Sequence, residues 1–190
     1  MRGKLGRPMP VLTGVAAVGA FVLSPGIAGA DHADDHGRFV RYTDQVPAGA
    51  TGTVSAVYDS TGDTTVKLTV RGLAPRTRYA AHAHEQPCGP TGADAGAHYQ
   101  DAYAPQSHPA YAERNEIRLS FRTDRHGDAV GSTTVAWQFP PGRRARSLVL
   151  HTQRIVQLPY QAPFRVTTVA RLACLDVDLQ GSDRVRSILP

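Results

Sequence analysis

Short segments of alternating apolar and polar residues, separated by turn-forming clusters, recur along most of this 190-residue chain. A period of two is typical of strands with one buried face, and no segment carries a sustained apolar stripe at helical spacing. The predicted strands are 51–58, 65–70, 78–84, 116–122, 131–137, 146–152 and 166–177, with 38–43 as a candidate first strand. Such a series predicts an all-β sandwich or barrel.

The first 30 residues have the features of a secretory signal peptide. Three basic residues precede an apolar run over 11–23, and residues 28–30 (Ala-Gly-Ala) match the small-x-small pattern of a cleavage site. The apolar run is shorter than the about 20 residues that a membrane span needs. We expect cleavage after Ala30 and a secreted or cell-wall-associated protein without a membrane span. A retained N-terminal anchor is the alternative.

Removal of this segment lowers the formal net charge from +5 to +2, because it holds three basic residues and no acidic one. The remaining basic residues are scattered, apart from a cluster at 143–146, so nucleic-acid binding is not predicted. The rest of the chain is long enough for one domain with one core. We predict a lead with the candidate first strand over 31–49, a β-barrel over 50–178 and a flexible tail over 179–190. The polar residues 31–37 are also expected to be mobile.

Cys88 and Cys174 are the two cysteines of the chain. An even number of cysteines in an exported protein favours a disulfide, because the compartment is oxidising. A pair of free buried thiols is the alternative.

Four histidines in three separate strings are the candidate metal ligands. His82 and His84 occupy alternate positions of a predicted strand, so their imidazoles project from the same face. His98 lies in a Gly- and Pro-rich stretch over 85–114 that is too long for an ordinary hairpin connection. His151 follows an apolar string. Imidazole binds Cu, Zn, Fe and Ni, so the residues alone predict a metal site without naming its metal.

These histidine strings resemble the copper-binding half of the Cu,Zn superoxide dismutase family. Further matches are Gly72-Leu73-Ala74-Pro75 with the following Tyr79, the Asp-x-x-Gly turn within 123–129, and Arg171-Leu172-Ala173-Cys174. The matches extend over about residues 50–178, and several ordered motifs are more specific than one. The resemblance implies a Greek-key β-barrel of about eight antiparallel strands. It also implies a copper enzyme that converts superoxide to dioxygen and hydrogen peroxide, with His82, His84, His98 and His151 as copper ligands.

The resemblance further implies roles for other residues. Arg171 would hold the superoxide anion beside copper, His98 would deliver a proton, and a Cys88–Cys174 disulfide would tie the long loop to the last strand. The glycines that usually precede the family's arginine are missing here, because residues 167–170 are β-branched or small. A surface Arg171, paired with Asp176 or with solvent, is the alternative.

The zinc site of the family is incomplete in this sequence. It uses three histidines and an aspartate, whereas here His98 matches the bridging ligand and His108 is the other histidine of the loop. Asp101, Glu113 and Glu116 are candidate oxygen donors, but none lies in a matching string. Structural zinc needs a closed set of four ligands. We therefore predict a copper-only variant in which a hydrogen bond orients His98.

The stretch over 153–165 lacks the acidic residues of the family's substrate-guiding loop. Its apolar residues over 155–164 favour a cap on the barrel or contact with a partner, such as a second copy of the chain. Two other functions fit the same residues. One is a non-catalytic copper-binding or copper-buffering protein, and the other is an interaction module whose contact surface is the 155–164 segment.

Overall fold

The computed structural model describes residues 31–101, 115–156 and 165–181. Nine strands lie in these ranges: β1 Asp31–Arg38, β2 Val40–Arg41, β3 Thr51–Tyr58, β4 Thr64–Arg71, β5 Arg78–His84, β6 Arg118–Arg122, β7 Ala129–Val135, β8 Arg144–Val156 and β9 Arg165–Gln180. They form two antiparallel sheets with the orders β1-β3-β4-β7 and β2-β9-β8-β5-β6. The predicted all-β sandwich class is confirmed.

The core lies between the two sheets and follows the alternation of the strands. In β3 and β4, inward positions such as Val54, Val66 and Leu68 are fully buried, whereas their neighbours along each strand are partly or fully exposed. The opposite sheet contributes Leu148 and Leu150 from β8. One buried face per strand is the pattern of a two-layer sandwich.

Strand β5 is buried on both faces, unlike β3 and β4. Tyr79, Ala81 and Ala83 belong to the core cluster. His82 and His84 occupy the alternate positions and therefore lie on the outer face of the five-stranded sheet, where they are also buried. This sheet thus has a second buried layer, formed where a loop covers its outer face.

The turn between β6 and β7 depends on a glycine. Asp124 accepts hydrogen bonds through Oδ1 from the backbone N–H groups of His126 (2.7 Å) and Asp128 (3.0 Å). Gly127 has φ of +85°, and its carbonyl accepts from the Leu73 N–H at 3.0 Å. A Cβ at this glycine would lie 2.0 Å from the Leu73 oxygen. The turn predicted within 123–129 therefore tolerates no side chain at this position.

Two segments that were expected to be irregular are strands. β1 pairs with β3 from Asp31↔Tyr58 to Arg38↔Thr51, so the expectation that residues 31–37 are mobile was wrong. Pairing with a neighbouring strand, rather than its own composition, orders this segment. The β8–β9 ladder continues to Val156↔Arg165, which shortens the predicted 153–165 loop.

Several predictions fall outside the described residues. These concern the signal peptide over 1–30, the His108 and Glu113 zinc candidates, most of the apolar 155–164 segment and the end of the tail. Among the residues that are described, no helix has the length and apolar character to cross a lipid bilayer.

Candidate metal centre

The four histidines of the sequence prediction lie together on the outer face of the five-stranded sheet. His82 and His84 come from β5, and His151 lies on the adjacent strand β8, opposite Ala80. His98 comes from the loop after β5 and forms an isolated β-bridge with His84. The backbone N–H of Tyr99 also donates to the Ala83 carbonyl at 2.8 Å, so the loop returns onto the strand from which it started.

The side-chain nitrogens of His82, His98 and His151 include a set that lies within 4.8 Å of one another, so the three can hold one metal ion. His82 Nδ1 and His98 Nε2 are 3.0 Å apart. The His84 ring completes the cluster, with its centroid 4.8 Å from that of His98 and 5.7 Å from that of His151. All four imidazoles therefore border one small volume.

Two ring nitrogens of the cluster are buried without a hydrogen-bond partner among the described residues, namely Nε2 of His84 and Nε2 of His151. His84 Nδ1 donates to the Gly96 carbonyl at 3.1 Å, because a carbonyl oxygen can only accept. Nε2 of His84 must then carry a lone pair when the ring is neutral. A buried nitrogen lone pair with no donor to accept from is costly in a purely structural histidine, but it is what a metal ligand requires.

Burial keeps three of these histidines neutral, because the charged imidazolium loses its hydration inside the protein. Together with the neighbouring His98, burial lowers the pKa of His82 to about 2 and that of His84 to about 3. The same two causes, in the same order, lower the pKa of His151 to about 4. Neutral imidazole is the form that binds metal ions. These side chains therefore keep their lone pairs available at physiological pH.

The loop over the cluster is fastened to the sheet beneath it at several points. The Cys88–Cys174 disulfide is present, as predicted, and links the loop to β9. The Cys88 N–H donates to Asp176 Oδ1 at 2.7 Å, and the Ser147 hydroxyl donates to the Gln86 carbonyl at 2.7 Å. These contacts join the loop to β8 and β9, so the cluster is covered by a fixed segment.

Arg171 lies opposite His151 in the β8–β9 ladder. Its guanidinium donates from Nη1 to the Gly92 carbonyl and from Nη2 to the Gly96 carbonyl, the latter at 2.7 Å. Its charge contributes, after burial and the neighbouring His98, to the lowered pKa of His151. Arg171 is therefore close to the cluster and is not paired with Asp176. Its predicted role in holding an anion stays a prediction.

The second nitrogen of His98 has a carboxylate as its partner. His98 Nδ1 donates to Glu116 Oε2 at 3.0 Å. Burial by itself would raise the pKa of Glu116, but hydrogen bonds from His98, Gln100 and Arg118, together with the Arg118 charge, lower it to about 2. Glu116 is thus an ionised acceptor that fixes the ring of His98 and leaves Nε2 of this ring on the side of the other histidines.

This contact bears directly on the predicted zinc residues. Nδ1 of His98, the nitrogen that would face a second metal, is engaged by Glu116. Asp101 does not belong to the metal-competent group found among the described residues, and His108 lies outside them. Sequence analysis named Glu116 only as a candidate zinc donor. It missed Gln100 and Arg118, although the Glu-x-Arg spacing places 116 and 118 on one face of a strand.

No protein-family model matches the chain, and no curated protein matches its sequence. The resemblance to superoxide dismutases therefore remains a prediction that rests on the motifs given above.

Proposed function

We propose that this protein is an exported, copper-dependent superoxide dismutase. The observation that carries the proposal is the histidine cluster: His82, His98 and His151 can hold one metal ion, and the His84 ring lies beside them. Two buried Nε2 atoms of this cluster, those of His84 and His151, have no partner among the described residues. An all-nitrogen set of this kind suits Cu(II), which also binds most tightly among the divalent first-row metals. The disulfide fits an oxidising compartment. Superoxide is the proposed substrate, and copper is the proposed cofactor.

Copper in this site would supply a one-electron Cu(II)/Cu(I) couple, by which two superoxide anions and two protons become dioxygen and hydrogen peroxide. The protein's own residues would bind the substrate and move the protons. Arg171 brings a positive charge close to His84 and His151. It retains N–H donors beyond the two that bind loop carbonyls. A guanidinium in this place attracts a small anion and orients it by a charge-assisted hydrogen bond.

His98 is the proposed proton donor. Glu116 accepts the proton of its Nδ1, so the atom left to carry a further proton is Nε2, whenever it does not bind the metal. His98 also retains 23% of its side-chain exposure, whereas the other three histidines are nearly inaccessible to solvent. Exposure and a fixed ring together suit a residue that exchanges protons with water.

A non-catalytic copper-binding protein is the second candidate, because two donor groups of Arg171 are already engaged by the loop. The test is the superoxide dismutation rate of the purified, oxidised protein, loaded with one equivalent of Cu(II) and no zinc. Rapid turnover supports the dismutase. Stoichiometric copper uptake without turnover refutes it and supports copper binding. Absence of copper uptake refutes both and leaves the interaction module.

The matched variants are His151→Ala and His126→Ala. His151 is 4% exposed and belongs to the cluster, whereas His126 is exposed in the β6–β7 turn. We expect His151→Ala to lose more than about 100-fold in Cu(II) affinity, beyond the usual effect of losing a residue that merely supports a ligand. His126→Ala should bind copper like the original protein. Equal affinities in the two variants would contradict the assignment of His151.

A further inference from the structure

Glu116, the partner of His98, is itself held by three donors. His98 Nδ1 and Arg118 Nε both donate to Oε2, at 3.0 Å and 2.8 Å. Gln100 Nε2 donates to Oε1 at 3.0 Å. Both oxygens are thus engaged, and the carboxylate plane has one orientation that satisfies all three donors.

Backbone pairing fixes the segments that carry Glu116 and two of its donors, Gln100 and Arg118. Gln100 lies two residues after His98 in the loop and forms a β-bridge with Glu116. Arg118 is the first residue of β6 and pairs with His82 of β5. Because residues two apart share a face of a strand, Glu116 and Arg118 project to the same side. The ladder that positions His82 therefore also positions Arg118.

Arg118 supplies the positive charge that the neutral donors His98 and Gln100 lack. The side chain of Glu116 is 6% exposed, and a buried carboxylate needs a charged partner as well as hydrogen bonds. His98 as a metal ligand is neutral and Gln100 has no charge, so among the described residues the positive charge in contact with Glu116 is that of Arg118. The planar guanidinium also fixes direction better than an ammonium group does.

We propose that Arg118 is a positioning residue for the metal centre: it fixes Oε2 of Glu116 and thereby orients His98 as a ligand without a second metal ion. The inference rests on the copper site proposed above. Metal-binding histidines commonly give their other N–H to a carboxylate, and loss of such a partner weakens metal binding. Arg118 acts on His98 through Glu116. A Glu116 carboxylate that could rotate would not hold the His98 ring in place, and the hydrogen bond from Arg118 prevents this rotation.

The test compares Arg118→Met with Arg122→Met. Arg122 is also on β6 and also donates through Nε, but to the Arg76 carbonyl at 3.2 Å. The measurements are Cu(II) affinity, by competition with a chelator, and the Cu(II) hyperfine splitting in the electron paramagnetic resonance spectrum. We expect Arg118→Met to weaken binding by about 10–100-fold and to change the splitting. Arg122→Met should change neither. An unchanged affinity and spectrum in Arg118→Met would overturn the proposal.

A second variant covers the case in which Arg118→Met does not fold because Glu116 is left as an unpaired buried charge. The double variant Glu116→Gln/Arg118→Met removes that charge, and we expect the same loss of affinity and the same kind of spectral change. A double variant with the Cu(II) affinity and hyperfine splitting of the original protein would refute the proposal.

Neither measurement depends on turnover. Copper binding without dismutation refutes the proposed enzyme and leaves the Arg118 comparison decisive. If the original protein dismutes superoxide and the Arg118 variants keep its Cu(II) affinity and hyperfine splitting, the role of Arg118 is refuted and the proposed enzyme is not. If the original protein binds no copper, both proposals fail.

Discussion

Removal of the Cys88–Cys174 disulfide should destabilise the fold far more than it disturbs the candidate metal centre. The bridge closes a loop with a sequence separation of 86 residues. For a loop of this length, the chain-entropy model gives a stabilisation of about 4–5 kcal/mol at 25 °C. The free energy of unfolding of a typical domain is about 5–15 kcal/mol, so the loss is a large fraction of the total.

The native geometry should survive this change, because other contacts hold the same loop. The backbone N–H of Cys88 donates to the Asp176 carboxylate, a contact that does not involve the sulfur. The Ser147 hydroxyl donates to the Gln86 carbonyl. Arg171 contacts two further loop carbonyls. The bridge therefore acts mainly on the unfolded chain, and the folded variant should bind Cu(II) within about tenfold of the original affinity, less than the usual effect of losing a residue that orients a ligand.

The variant of choice is Cys88→Ala/Cys174→Ala. Cys174 is fully buried beside Ala95 and Val149, where a serine hydroxyl would add an unpaired polar group. Urea unfolding of the metal-free protein gives both the midpoint and the slope. The slope should increase, because an unbridged unfolded chain exposes more surface. The original protein under reducing conditions is the control and should lose a similar amount of stability.

Two results would refute this reasoning. A loss below about 1 kcal/mol would mean that the unfolded chain is already restricted, contrary to the chain-entropy model. Loss of copper binding while the variant is still folded would mean that the bridge, and not the hydrogen bonds of the loop, holds the site.

Two further predictions concern stability. Gly127→Ala should lower the free energy of unfolding by about 2–5 kcal/mol in urea titrations, because its Cβ would strike the Leu73 carbonyl at a positive φ; a change below about 1 kcal/mol would contradict the turn geometry. The metal-free protein should lose stability as the pH falls from 7.5 to 5. Burial keeps His82, His84 and His151 unprotonated in the fold while the unfolded chain takes up protons below about pH 6.5, which costs about 1–2 kcal/mol for each histidine. An unfolding free energy that is flat over this range would exclude such burial.

Local alternation made much of the fold predictable. β3 and β5 begin and end where the sequence placed them, because both have clear alternation or flanking turn residues. β1 was missed since its aspartates and its glycine are poor strand formers. Its order comes from the register with β3 and from the Asp178 N–H, which donates to Asp35 Oδ2 at 2.8 Å. Such long-range pairing leaves no local signal.

The candidate site was predictable where local alternation determines it, and not where it depends on long-range pairing. Alternation placed His82 and His84 on one face, and the motif resemblance added His98 and His151. The sequence predicted that a hydrogen bond orients His98, but it did not identify Glu116 as the partner. This partner is set by the Gln100↔Glu116 bridge, which joins segments that are distant in sequence. Cross-strand contacts of this type depend on sheet register, which a single sequence does not specify.

The register of β5 links the core to the candidate metal centre. Tyr79, Ala81 and Ala83 pack inward, while His82 and His84 are buried on the other face beneath the loop. A shift by one residue would exchange the two faces, placing imidazoles in the apolar core and removing them from the loop. Such a shift would cost both the desolvation of polar rings and the packing of Tyr79. The hydrophobic core therefore holds the candidate ligands in register before any metal binds.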